Sequence, residues 1–301
     1  MSVVGVQQPE WLRRRERGSA SVIRLMVRLA LGLGRPAARL LLPLICGYFM
    51  LVARDARRAS ESYLGRVLGR VPTARDVLRH YHAFASCVLD RVFFLKDRTE
   101  GFDITVHGEE IVSGIMASGS GCILLGAHMG SFEVLRALGR RQPGLNVNMV
   151  MYEKNAQKVT AVLNAIAPKL AAEVISLGSP DSFLTIERKL EAGHFVGMLA
   201  DRSLSDERRI AVPFLGSQAQ FSAAPFRMFA ILQQPVVLAV GLYRGGNRYE
   251  IHFERFADAG SIPRRPDPAQ LNDLVGRYVR RLEHYCRQAP YNWFNFFDVW
   301  R

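Results

Sequence analysis

The chain is expected to form an α/β fold: a central, largely parallel or mixed sheet flanked by helices, with an N-terminal apolar helical region suited to membrane association. Three observations point there. From Phe102 onward, short apolar runs of strand length alternate with longer amphipathic stretches, the pattern of a sheet covered by helices. Upstream, residues 21–53 are strongly apolar but interrupted by Arg24, Arg28, Arg35 and Arg39. The 301 residues, 49% hydrophobic, suffice for one full core plus an appendage. The expected organisation is a basic polar stretch at 1–20, a membrane-associating segment at 21–53, and an α/β domain at 54–301 with a helical lead-in at 54–96.

Taken in order, the polar N-terminus carries Arg13-Arg14-Arg15-Glu16-Arg17. No small-residue cleavage site follows a hydrophobic core, so a cleaved signal peptide is not expected. Gly34-Arg35-Pro36 should split the apolar segment into helices at 22–33 and 40–52. The second is 13 residues long, short of the roughly 20 that span a bilayer. Arginines on such helices favour an interfacial position, their side chains snorkelling to anionic headgroups. The competing reading is a core hairpin of a soluble protein. Residues 54–70 read as a basic amphipathic helix. Another opens at Pro72-Thr73-Ala74-Arg75-Asp76 and runs to about Lys96. Its His80 and His82 face different ways, so they do not form a ligand pair.

Beyond Phe102, strands are expected at 102–106, 122–127, 145–152, 173–176, 195–200 and 235–242. Helices are expected at 109–117, 131–140, 155–170, 181–192, 223–233 and 269–287. A further strand at 248–255 should pair with 235–242 through Gly245-Gly246-Asn247.

The formal net charge is +13. Fourteen arginines precede Asp76, against only Glu10, Glu16, Asp55 and Glu61. Such a balance suits anionic lipids or an acidic carrier protein. No zinc-finger spacing or RNA-binding motif supports nucleic acid as a partner. Cys46, Cys87, Cys122 and Cys286 are scattered in apolar surroundings, as reduced core thiols of a cytoplasmic protein body would be. No His or Cys spacing suggests a metal, and no bound organic cofactor is implied.

The chemistry concentrates in Gly121-Cys-Ile-Leu-Leu-Gly-Ala-His128-Met-Gly130-Ser131-Phe-Glu133. It reads as a buried strand running into a helix, with His128 at the junction. On one ideal helix His128 and Glu133 would point about 140° apart. They can meet only if His128 precedes the helix and turns back over its start, at the strand end where open sheets place ligands. A neutral imidazole there can take a proton from an attacking hydroxyl, and a carboxylate behind it fixes the tautomer. With seven histidines in the chain, the spacing alone is weak, and a capping His with a surface Glu is an equal reading.

Leu125-Gly-Ala-His128-Met-Gly-Ser-Phe-Glu133 resembles the His-x4-Asp/Glu block of the lysophospholipid acyltransferase superfamily. More narrowly it is similar to the bacterial lipid A lauroyl/myristoyl acyltransferases, over roughly Trp11 to the end. The resemblance implies a general base at His128, its acidic partner at Glu133, and an acyl thioester as co-substrate. Acyl carrier protein or acyl-CoA would donate, a lipid-like hydroxyl would accept, and the enzyme would sit on the cytoplasmic face of the bacterial inner membrane. Backbone N–H groups near Gly130 and Ser131 are candidates for stabilising the oxyanion.

Met198-Leu199-Ala200-Asp201-Arg202 repeats the grammar of an apolar strand ending in charge. Arg202 can hold a phosphate or acceptor headgroup with Asp201 orienting it, or the two can form a plain surface ion pair. Where lipid A enzymes carry Asp-x-Asp-x-Gly and a Val-Pro-Phe-Phe-like strand, this chain keeps Asp201 and Val212-Pro213-Phe214-Leu215-Gly216 but has Arg202-Ser203-Leu204. It also has Tyr152-Glu153-Lys154-Asn155 where they resemble Tyr-Arg-Pro-Asn. These departures point to a neighbouring branch associated with aryl-polyene pigments. Lipid A acylation itself stays open, as does a peripheral scaffold with a structural His/Glu pair. The ending Tyr291-Asn-Trp293-Phe294-Asn-Phe296-Phe297 is either packed on the core or suited to a membrane interface.

Overall fold

A computed structural model describes residues 20–151, 167, 173–177, 180–203 and 208–300. Three helices lead in: α1 (Ala20–Val52), α2 (Arg54–Leu68) and α3 (Ala74–Phe94). The α/β part then runs β1 (Asp103–His107), α4 (Glu109–Ala117), β2 (Cys122–Gly126), α5 (Phe132–Gly139), β3 (Val147–Met151), β4 (Val174–Ser176), α6 (Pro180–Glu191) and β5 (Phe195–Leu199). After these come β6 (Arg209–Phe214), β7 (Ser217–Ser222), α7 (Ala224–Leu232), β8 (Val236–Tyr243), β9 (Arg248–Ala257) and α8 (Pro268–Gln288). These bounds fall close to the expected ones. The expected helix at 155–170 and the 152–155 block lie outside the described residues, as does the 1–19 stretch.

The sheet order is β1-β9-β8-β2-β5-β3-β4. All neighbours are parallel except β8 and β9, so β1 and β9 run against the other five. Both faces are covered, as the unbroken burial of β2 and β8 requires. Ile123 and Leu125 of β2, with Leu238 and Val240 of β8, pack on the side of Val275, Tyr278 and Leu282 of α8. Cys122 and Leu124, with Val237 and Ala239, pack on the side of Cys87 and Phe94 of α3 and Leu135 of α5. The alternation missed the β6–β7 hairpin. Its turn residues Leu215 (φ 49°) and Gly216 (φ 80°) both have positive φ, the signature of a type I′ turn.

In α1 the break falls at Gly34, whose φ of 83° and ψ of 167° only glycine adopts without strain. Pro36 lies in the first turn of the second limb, where its missing N–H is tolerated. This limb begins earlier than expected. The run Ala30–Val52, 23 residues, is long and apolar enough to cross a membrane by length and composition. Two of its arginines, Arg35 and Arg39, correct the snorkelling expectation. Arg35 grips the buried Asp90 of α3 through Nε and Nη2 at 2.6 and 2.8 Å, and Arg39 donates to Gly246 O and Tyr243 Oη, both at 3.0 Å. The domain supplies partners that lipid headgroups were expected to provide. Ala30, Ala38 and Leu42 pack on Leu89 and Phe93 of α3, while Leu33, Leu40, Leu44, Tyr48 and Leu51 stay exposed.

The C-terminal stretch crosses the core as a strap. Tyr291 Oη donates to Asp76 Oδ1 at 2.8 Å, beside the Thr73–Asp76 capping box that starts α3. Trp300 stacks on Phe214 and donates to its carbonyl at 3.2 Å, under the Arg66 guanidinium. Between these anchors Trp293 is completely buried. His80 fixes its backbone: Nε2 donates to Trp293 O at 2.8 Å, which leaves Nδ1 to accept from Ser60 Oγ at 2.8 Å.

Burial lowers His80 to about 4, although the Trp293 carbonyl favours its protonated form. Unfolded, the same group titrates near 6.5. The unfolded chain therefore takes up the extra proton, so the contribution is complete above pH 6.5 and lost as pH falls towards 4. It amounts to roughly 3 kcal/mol. Urea midpoints of wild type are expected to fall between pH 6.5 and 4, and those of a folded His80→Gln variant to fall less steeply. Equal slopes would count against this role.

Candidate active site

Strand β2 is buried along its whole length and ends at the mouth of a short junction, Ala127–Ser131, that feeds α5. Glycine is obligatory at Gly130: its φ is +57°, and a Cβ there would lie 1.9 Å from the Gly241 carbonyl oxygen. The junction is sewn to its neighbours. Gly130 N donates to Asn292 O at 2.8 Å, Ser131 N to Gly241 O at 2.8 Å, and Phe294 N to His128 O at 2.7 Å. This corrects the oxyanion expectation. The Gly130 and Ser131 N–H groups are committed to carbonyls, so these two residues shape the turn instead of facing substrate.

His128 is partly exposed and its ring is held from one side. Nδ1 lies 2.8 Å from Asp201 Oδ1, while the His128 backbone N–H donates to Asp201 Oδ2 at 3.0 Å. The register explains the meeting. β2 and β5 are adjacent and parallel with Gly126 opposite Leu199, and each catalytic candidate follows its strand by two residues. Asp201 is 2% exposed, and its Oδ2 also accepts from Trp293 Nε1 and Asn295 Nδ2, both at 2.9 Å. Burial alone would raise this carboxyl. His128 and Arg202 outweigh it and hold the group down to about 2, ionised at neutral pH. An ionised acceptor at Nδ1 fixes the proton there and leaves Nε2 with its lone pair. Among the described residues, no hydrogen bond is made to that nitrogen.

Glu133 is not the partner of His128. It points to the α3 side, where Oε1 lies 3.0 Å from Arg91 Nη2 and 3.3 Å from Arg136 Nη1. Arg136 goes on to Glu173 at 2.6 Å. Burial would raise the Glu133 carboxyl, but Arg91, Arg136 and Arg140 lower it. The physical reason is position: Glu133 already sits in the first turn of α5 and reaches Arg91 of α3, while Asp201, following β5, takes the imidazole.

Arg202 follows Asp201 and is tied to the strap. Its Nε donates to Asn295 Oδ1 at 2.8 Å and Nη2 to Phe294 O at 3.3 Å, with the guanidinium 5.6 Å from the Phe297 ring centre. Burial brings it down to about 10 against the pull of Asp201, so it stays cationic. Burial and this fixed charge lower His128, Asp201 opposing both. Sequence reasoning missed Trp293, Asn295 and Asn292, although the dense aromatic ending had marked the segment. A cavity of about 440 Å³, lined by Arg136, Arg140, Lys189 and His194, opens at the other end of β3 and β5. Of its arginines, Arg136 pairs with Glu173 and Arg140 with Asp97. Neither His128 nor Asp201 belongs to a cluster of metal-ligating side chains among the described residues.

An imidazole at a strand end, held by a buried carboxylate beside a fixed cation, is equipment for moving a hydroxyl proton, here on a fold with an exposed apolar helix. The whole-chain comparison gives the class its name: the chain belongs to the bacterial lipid A biosynthesis acyltransferases, whose family model matches residues 22–301. It is therefore an acyltransferase, of a family that is membrane-associated and takes an acyl donor and a lipid-like acceptor. No curated protein matches the chain.

Removing one charge from the Glu133–Arg91–Arg136 cluster strands its partners in the interior. Glu133→Gln is expected to cost about 3–5 kcal/mol of stability, read from urea unfolding. Activity per folded molecule should change far less than in Asp201→Asn. The reverse ranking would restore Glu133 as the partner of the base.

Proposed function

We propose that the protein transfers an acyl group from a thioester to a hydroxyl of a lipid-like acceptor, with His128 as general base. The observation that carries this is the Asp201–His128 pair, both carboxylate oxygens engaged on the residue that bears the base. The acceptor hydroxyl gives its proton to Nε2 as its oxygen attacks the thioester carbon. A C–O bond forms and the carbonyl electrons move to oxygen. Collapse breaks the C–S bond, and the imidazolium returns the proton to the thiolate, leaving an ester and a thiol. Asp201 holds the tautomer throughout and offsets the charge on the imidazolium. Arg202, fixed beside the ring, is placed to stabilise the oxyanion or to hold a phosphate of the acceptor.

Acyl carrier protein is the donor we favour, because an acidic carrier complements a chain of net charge +13. For the acceptor, the departures from the lipid A pattern support the aryl-polyene-associated branch. Arg202, which stands within the run where lipid A enzymes resemble Asp-x-Asp-x-Gly, is built into the strap through Asn295 and Phe294. Lipid A secondary acylation is the second reading, favoured by the family match itself. A peripheral scaffold is set aside by that match. We place the protein on the cytoplasmic face of the inner membrane, seated through the exposed apolar side of α1.

Acyl transfer from acyl carrier protein, with lipid extracts and pigment precursors as acceptors, tests the mechanism. His128→Ala is expected to abolish turnover and Asp201→Asn to lower kcat by about 10²- to 10⁴-fold. Wild-type kcat/KM should rise with pH along a limb whose apparent pKa lies below 6.5, because burial and Arg202 disfavour the protonated ring. Full activity in folded His128→Ala would end the proposal. For membrane seating, Leu40→Asp with Leu44→Asp should move the protein from the membrane pellet to the supernatant. Continued sedimentation with vesicles would show that the exposed face is not the anchor.

A further inference from the structure

A second constellation lies on the sheet away from the acyl-transfer site, on strands two and three places from β2. β1 and β9 pair in parallel with His107 directly opposite His252 and Thr105 opposite Glu250. Because strand side chains alternate, His107, His252 and Glu250 share one face. One ligand atom from each lies within 4.8 Å of the others. The two imidazoles stack with centres 4.6 Å apart and planes inclined by 15°. Nε2 of His252 is buried and makes no hydrogen bond, its contact with Glu250 Oε2 being 3.6 Å. Arg244 takes Oε2 of Glu250 with both Nε and Nη2, at 2.8 and 2.7 Å. That grip orients the carboxylate, whose Oε2 is also the oxygen nearest His252 Nε2.

We infer that His107, His252 and Glu250 form a binding site for a borderline divalent transition metal of the zinc type. Two imidazoles and one carboxylate are a donor set suited to zinc, with bonds of about 2.0–2.2 Å. Tetrahedral bonds of that length need donor atoms about 3.3 Å apart. His107 closes the difference, since it ends β1 and its side chain is exposed, free to turn out of the stack. Arg244 acts on the carboxylate as an outer partner, in the way metal-ligating carboxylates are commonly held. The bound ion would pin β1, an edge strand, to β9. The inference does not rest on the proposed acyl transfer.

The test uses the full chain without a polyhistidine tag, in detergent, titrated with Zn²⁺ alone by calorimetry and followed in parallel by thermal unfolding. Wild type is expected to bind one ion per chain at micromolar or tighter affinity and to melt several degrees higher with the metal. His107→Ala and Glu250→Gln should each bind at least tenfold more weakly and lose most of the thermal shift. Since His107 is exposed at a strand end, its variant should keep the wild-type circular dichroism and acyl transfer without metal. Absence of binding by wild type, or equal binding by folded His107→Ala, would overturn the assignment.

Discussion

The site depends on one buried anion. Asp201 sits in the interior with its charge intact, which is costly unless every lone pair is answered. Four donors answer it: the ring and backbone N–H of His128, the indole of Trp293 and the amide of Asn295. Each donor comes from a segment with its own reason to be there. β2 brings the histidine, β5 the carboxylate, and the strap the other two. Take away the anion and the junction loses its fixed imidazole, the strap loses its central contact, and Arg202 loses the charge beside it.

Much of this was legible in the sequence, and the errors have physical causes. The apolar strands announced themselves by period and length, and both charged strand ends were read as places for chemistry. What a sequence does not carry is which strands are neighbours. Had β2 and β5 been known to lie side by side in parallel, His128 and Asp201, each two residues past its strand, would have been the natural pair. Proximity in sequence instead favoured Glu133, five residues from His128. Its true partners, Arg91 and Arg136, come from α3 and from the next turn of α5. The same limit hid His107 and His252, which no local spacing connects.

The arginines of α1 teach a related point. A charge on an apolar helix reads as an exposed, lipid-seeking group when the helix is considered alone. Arg35 and Arg39 instead reach inward to Asp90, Gly246 and Tyr243, so they clamp the helix to the domain. At these two positions the positive charge is committed to internal contacts. From Leu33 onward the outward side of the helix is apolar, with Leu33, Leu40, Leu44 and Leu51 exposed. The helix thus presents hydrocarbon outward while its polar contacts hold it rigidly to the sheet.

The strap also sets an order of assembly. Chains emerge from the ribosome N-terminus first, and their domains fold in that direction. Both strands that carry His128 and Asp201 are complete well before residues 292–295 are made. A nascent chain that stops at the end of α8 would hold the sheet but leave two of the four donors missing, with the carboxylate poorly answered. The candidate site is therefore finished among the last of all the parts, and a nascent chain short of the strap is an acyltransferase in outline only.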